Sequence, residues 1–177
     1  MSLVDGSVLE VPLPTGGLAR STEVPVADPE FQNWFGGRVE VWRAYKRRRK
    51  DRTARAVAVY LDESDADLVE SLGRVLALAD FKVVGLALEV LAWYLSRGRA
   101  LPAMPRRGRT LRIGSGLLSI PAPVVKVRKT YHVPRTLAVF WRTVAQAVET
   151  SASEVAAIAV EALARLCLPD VIGARSS

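Results

Sequence analysis

The sequence predicts a mainly α protein in which one strand–helix–helix unit occurs twice. Three observations carry this. Residues 56–61, AVAVYL, and 127–133, VRKTYHV, have the two-residue period of a strand. Each run is followed by two stretches whose apolar residues recur at helical spacing. The second set follows the first by 72 residues without a gap. A chain of 177 residues, half of them apolar, is long enough for one ordinary domain or two very small ones.

Four segments follow: an extended basic and aromatic arm (1–52), a first copy (53–97), a linker (98–124), and a second copy with its tail (125–177). Residues 1–30 are rich in Pro, Gly and Ser without periodicity and are expected to be flexible. The start carries Asp5 and no long apolar run, so no signal peptide is expected. Phe31, Trp34, Phe35, Trp42 and Tyr45 then lead into KRRRKDR, residues 46–52. A helix from about Val39 to Arg52 would carry Arg43, Arg47 and Lys50 on one face. The aromatics either pack on the helical body or dock on DNA or a neighbouring subunit.

In the first copy Val57, Val59 and Leu61 point one way and Ala56, Ala58 and Tyr60 the other. Ser64 is a candidate N-cap for a helix carrying Leu68, Leu72, Val75, Leu76 and Ala79. Asp80 would cap a second helix, from about Phe81 to Ser96, which Gly98 ends. Its nearly continuous apolar surface requires a buried position. The linker places Thr110–Ile113 and Leu117–Ile120 around Gly114-Ser115-Gly116, a small hairpin.

In the second copy Val127, Tyr131 and Val133 alternate with Arg128, Thr130 and His132. Pro134 sits where a helix begins, with Phe140, Trp141, Val144, Ala145 and Val148 as its stripe. Ser151 and Glu154 offer a capping box for a last helix carrying Val155, Ala156, Ile158, Ala159, Leu163 and Leu166. Across the shift Val83 falls on Val155, Ala87 on Ala159, Glu89 on Glu161 and Leu91 on Leu163.

This layout resembles the ribbon-helix-helix family of DNA-binding proteins, over residues 53–97 and 125–168. The resemblance implies that the two strands pair as a short antiparallel β-ribbon that enters the major groove. With both copies in one chain, it implies a tandem, intramolecular pseudo-dimer. One strand and two helices cannot bury both helix faces alone, so each copy needs the other. In that family outward strand residues touch base edges, and amides at the start of the second helix grip phosphate. Carried over, Arg128, Thr130 and His132 face the groove, with Tyr60 from the first strand. Ser151 and Ser153 form one phosphate clamp, and Lys82 is the remnant of the other beside Asp80. Ala56 and Ala58 cannot hydrogen-bond bases, so half of the ribbon is poorly suited to reading sequence.

Net charge is +7, and its distribution is uneven. Arg43–Arg55, Arg97–Arg112 and Pro123–Arg135 together hold 18 basic residues and one acid, which leaves the remainder at −10. Phosphate contacts are expected from Arg43, Lys46, Arg47, Arg48, Arg49, Lys50 and Arg52, from Arg106, Arg107, Arg109 and Arg112, and from Lys126 and Lys129. A single cysteine, Cys167, excludes an internal disulfide, and a single histidine excludes multi-histidine metal sites. No phosphate-loop or dinucleotide motif is present, and no cofactor or enzymatic activity is expected. Cys167 lies in an apolar stripe and reads as an inert core thiol.

The expected function is binding of double-stranded DNA in an architectural or packaging role, nucleoid or viral nucleocapsid-like. Self-association through the N-terminal arm and no membrane partner are expected, with the protein inside a cell or a virion as nucleoprotein. The alternatives are a sequence-specific transcription regulator and an antitoxin-like protein-interaction module.

Overall fold

The computed structural model describes residues 11–46, 54–103, 109–113, 116–120 and 125–168. Strand β1 (Arg20–Ser21) and helix α1 (Pro29–Ala44) precede the first unit, β2 (Ala54–Asp62), α2 (Glu63–Leu76) and α3 (Asp80–Ser96). β3 (Leu101–Pro102), β4 (Arg109–Ile113) and β5 (Gly116–Ile120) form the linker. The second unit is β6 (Lys126–Pro134), α4 (Arg135–Ala147) and α5 (Ala152–Cys167). Every element of the second unit starts 72 residues after its counterpart. The turns between helices match as well. Ala77 and Glu149, also 72 apart, both take a left-handed conformation, with φ of 54° and 52°. Leu78 N–H then donates to Gly73 O, and Thr150 N–H to Ala145 O, both at 2.9 Å.

β2 and β6 pair antiparallel from Ala54↔Pro134 to Asp62↔Lys126. Ala58 faces Thr130 at the centre, and these two are repeat equivalents. The register is therefore two-fold symmetric. Val57, Val59, Leu61, Tyr131 and Val133 are buried beneath the ribbon because a two-residue period puts them all on one face. There they meet the helices: α5 packs on β2, α3 on β6, and α3 against α5. α3 is buried from Val83 to Trp93, as its apolar circumference requires. Trp141, fully buried, joins α4 to the start of α5 by donating from Nε1 to Ala152 O at 2.8 Å.

The segment 1–52 is not simply an extended arm. α1 runs from Pro29 to Ala44 rather than from Val39 to Arg52. Its start follows from Asp28, whose carboxylate accepts from Glu30 N at 2.9 Å and Phe31 N at 3.3 Å, with Pro29 at the first helical position. Its aromatics pack inward: Trp42 is fully buried, and Phe31 sits 4.9 Å from Trp93, ring centre to ring centre. Ordered backbone also extends upstream of α1. β1 pairs parallel with β3, where Leu101 N–H donates to Ala19 O at 2.8 Å.

α1 is locked to α3 by a buried ion pair. Arg38 Nε and a terminal nitrogen each donate to Glu89 at 2.8 Å, and Trp42 Nε1 donates to the same carboxylate at 3.0 Å. Gly85 makes room, since a Cβ there would stand 2.3 Å from the Trp42 ring. The equivalent carboxylate, Glu161, pairs with Arg20 of β1. Two caps differ from expectation. Asp62 rather than Ser64 precedes α2, and Ala79 rather than Asp80 precedes α3, neither with a side-chain cap bond. Gly98 ends α3 with φ of 60°, and β4 and β5 form the linker hairpin.

Candidate nucleic-acid interface

The outer row of the β2–β6 ribbon carries Ala54, Ala56, Ala58, Tyr60 and Asp62 from one strand and Lys126, Arg128, Thr130 and His132 from the other, ending at Pro134, which is buried. Tyr60, Arg128 and Thr130 are exposed, and His132 is half-buried. These four groove candidates share one face because all occupy even positions in strands with a symmetric register. Tyr60 lies opposite Arg128, Thr130 opposite Ala58, and His132 opposite Ala56.

Lys129 differs from the other basic residues of β6 in its row. It occupies an odd position, opposite Val59, so it lies in the inward row and is half-buried. Its parity in the strand was readable from the sequence. Lys126 is exposed, at the end of the outer row opposite Asp62.

The helix-start residues have structural partners. Ser151 Oγ accepts from Glu154 N at 3.1 Å and caps α5. Ser153 Oγ accepts from Tyr60 N at 3.0 Å, which seals the outer edge of β2 and fixes α5 beside the ribbon. Lys82 donates from Nζ to Arg43 O at 3.2 Å, neutralising the C-terminal end of α1, and burial lowers its pKa. Arg43 donates from Nε to Leu76 O at 3.0 Å and pairs with Glu40 at 2.5 Å. Arg43 and Lys82 thus tie α1 to α2 and α3.

Part of the linker strip is also internally engaged. Arg97 lies 4.0 Å over the Trp93 ring and pairs with Glu30. Arg99 pairs with Asp28, and its guanidinium holds the Asp28 carboxyl below the usual range. Lys46 is exposed. Arg109 and Arg112 lie in β4. Arg47, Arg48, Arg49, Lys50, Arg52, Arg106 and Arg107 lie outside the described residues.

Among the described residues no cluster of three or more His, Cys, Asp or Glu could hold a metal ion. No helix among them is long and apolar enough to cross a membrane. Cys167 is half-buried, and burial pushes its thiol up to about 12, away from a reactive thiolate. No protein-family model matches the chain, and neither a curated protein nor a solved structure matches it.

Proposed function

We propose that the protein binds double-stranded DNA with low sequence preference, in an architectural or packaging role, as a tandem ribbon-helix-helix unit. The observation that carries this is the β2–β6 ribbon. It is seated on helices by one face, and its other face presents an exposed row with Arg128, Thr130, Tyr60 and Lys126. A two-stranded ribbon of this width fits the major groove. Ala56 and Ala58 offer no hydrogen bonds to bases, which favours affinity from phosphate contacts over a long operator. The role is binding rather than catalysis.

Coating a duplex also needs contacts between neighbouring chains. We place these on the segment ahead of α1, where Val24 and Val26 are 77 % and 90 % exposed. A second reading, a sequence-specific regulator, is favoured by the placement of Tyr60 and Arg128 side by side across the strands.

The test is binding of the full chain to many duplex sequences across a salt series. Similar affinities within about tenfold and a steep fall with salt are expected. A preference of a thousandfold or more for one site would replace coating by regulation. Absence of binding at 50 mM salt would remove both DNA roles.

A further inference from the structure

The sequence divides the ribbon by strand: a poor reader, β2, and a capable one, β6. The register divides it differently. At one end Tyr60 faces Arg128 and Asp62 faces Lys126. At the other end Ala56 faces His132 and Ala54 faces Pro134. Arg128 and Tyr60, drawn from both strands, therefore stand together and exposed at one end, while Thr130 lies at the centre and His132, half-buried, toward the other end.

Charge follows the opposite gradient. At the Tyr60–Arg128 end, Lys126 and Arg128 are offset by Asp62 and by Glu63, the first residue of α2. At the other end the strand termini and the first turn of α4 carry Arg55 and Arg135, both exposed, and no acid among the described residues. Asp80 and Lys82 at the start of α3, beside β6, add one charge of each sign. The asymmetry has a local cause. The chain enters α2 through Asp62-Glu63-Ser64-Asp65 but enters the equivalent α4 through Pro134-Arg135-Thr136.

We infer that the ribbon engages duplex DNA with one polarity, the Tyr60–Arg128 end reading bases and the Arg55–Arg135 end holding phosphate. This rests on the DNA-binding reading and adds a direction to it. The Arg128 guanidinium can donate two hydrogen bonds to guanine O6 and N7. Tyr60 adds a hydroxyl and a ring face beside it. At the far end the alanines add no base hydrogen bonds, Pro134 is buried, and His132 is half-buried, so it reaches bases less freely than Arg128. Base preference is then confined to two or three base pairs on one side of the site, and successive chains on a duplex share an orientation wherever that step recurs.

The experiment selects duplexes bound by the full chain from a random library, then footprints the protein on duplexes carrying the enriched step in either orientation. A short, non-palindromic step is expected, with an off-centre footprint that inverts when the step is inverted. Arg128→Ala should reduce enrichment about tenfold while changing affinity for random duplex less than about threefold. Arg128→Lys keeps the charge and loses the planar fork, so enrichment should still fall while the salt slope stays. Arg55→Ala with Arg135→Ala should weaken every sequence alike and reduce the slope of log K against log salt by about 1.8. A palindromic step, or binding with no step at all, overturns the polarity and leaves DNA binding intact. Failure of the unaltered chain to bind any duplex overturns both.

Discussion

In the first copy Glu89 of α3 is sealed beneath α1, where it takes three hydrogen bonds from Arg38 and Trp42 and is 3 % exposed. In the second copy its equivalent, Glu161 of α5, lies nearer the surface and is met by Arg20. The backbones match, down to the left-handed residue that ends each first helix. What differs is the cover: a full helix with an indole over Gly85 in one copy, a two-residue strand in the other. A duplicated unit can thus keep its internal symmetry while its outer surface diverges. α3 in turn anchors the end of α1, where Lys82 donates to Arg43 O just before Lys46.

The largest expected effect breaks this comparison at the carboxylates. Glu89→Gln leaves Arg38 buried without its counter-charge and should lower stability by about 3 to 5 kcal/mol. Glu161→Gln should cost about 1 kcal/mol or less, since that pair is partly solvated. Replacing Arg38 and Glu89 together by Met and Leu should recover most of the loss. Urea unfolding of the four proteins reads all of this. Equal losses for the two Gln variants would show that burial does not distinguish the copies.

That difference explains what was legible in the sequence. Periods of 2 and 3.6 are local, so the two ribbon strands, the four repeat helices and the linker hairpin are readable, whereas β1 and β3, two residues each, carry no period. Glu89 and Arg38 are 51 residues apart, and no local pattern pairs them. The start of α1 is set by Asp28-Pro29-Glu30, a cap signal upstream of the basic residues whose helical spacing points to 39–52. Burial of Trp42 and Phe31 against α3 decided the matter. At the ribbon, the face of each residue followed from parity, but its partner followed only from the register. That is why Tyr60, grouped by sequence with two alanines, stands opposite Arg128.

Alkaline titration separates the copies next: burial raises Tyr94 in the first copy, but the groups pushed furthest, Tyr131 and Cys167, both belong to the second. Burial pushes the Tyr131 hydroxyl and the Cys167 thiol each up to about 12. Their repeat equivalents, Val59 and Leu95, do not ionise. Both folded values lie above the unfolded ones of 10.0 and 9.0. Their contribution is therefore complete below pH 9 and is lost as pH rises toward 12, because the unfolded chain releases these protons first. The Tm should fall across that interval, and Tyr131→Phe with Cys167→Ala should flatten the fall. Near pH 7 Tyr131→Phe should change stability by less than about 0.5 kcal/mol, as the hydroxyl finds no hydrogen-bond partner among the described residues. An unchanged alkaline slope in the double variant would place the titration elsewhere.

The smallest expected effect lies at the starts of α3 and α5, where the two copies differ by one hydroxyl. Ser151 caps α5 by accepting from Glu154 N, whereas Ala79 precedes α3 with no side-chain bond. Both residues already have the extended backbone of an N-cap, with ψ of 156° in each case. Ser151→Ala should therefore cost about 1 kcal/mol, and Ala79→Ser should return a similar amount or somewhat less. Ala79 is exposed, so the added hydroxyl displaces nothing. Asp80 at the next position, already favourable to the helix dipole, is the reason for expecting less. Thermal melts of the two single variants and their combination decide it. The combination should melt within a degree or two of the unaltered chain, because the caps sit on different helices and their effects should add. A loss from Ala79→Ser would mean that the start of α3 is set by the Lys82 contact to α1 rather than by its own cap.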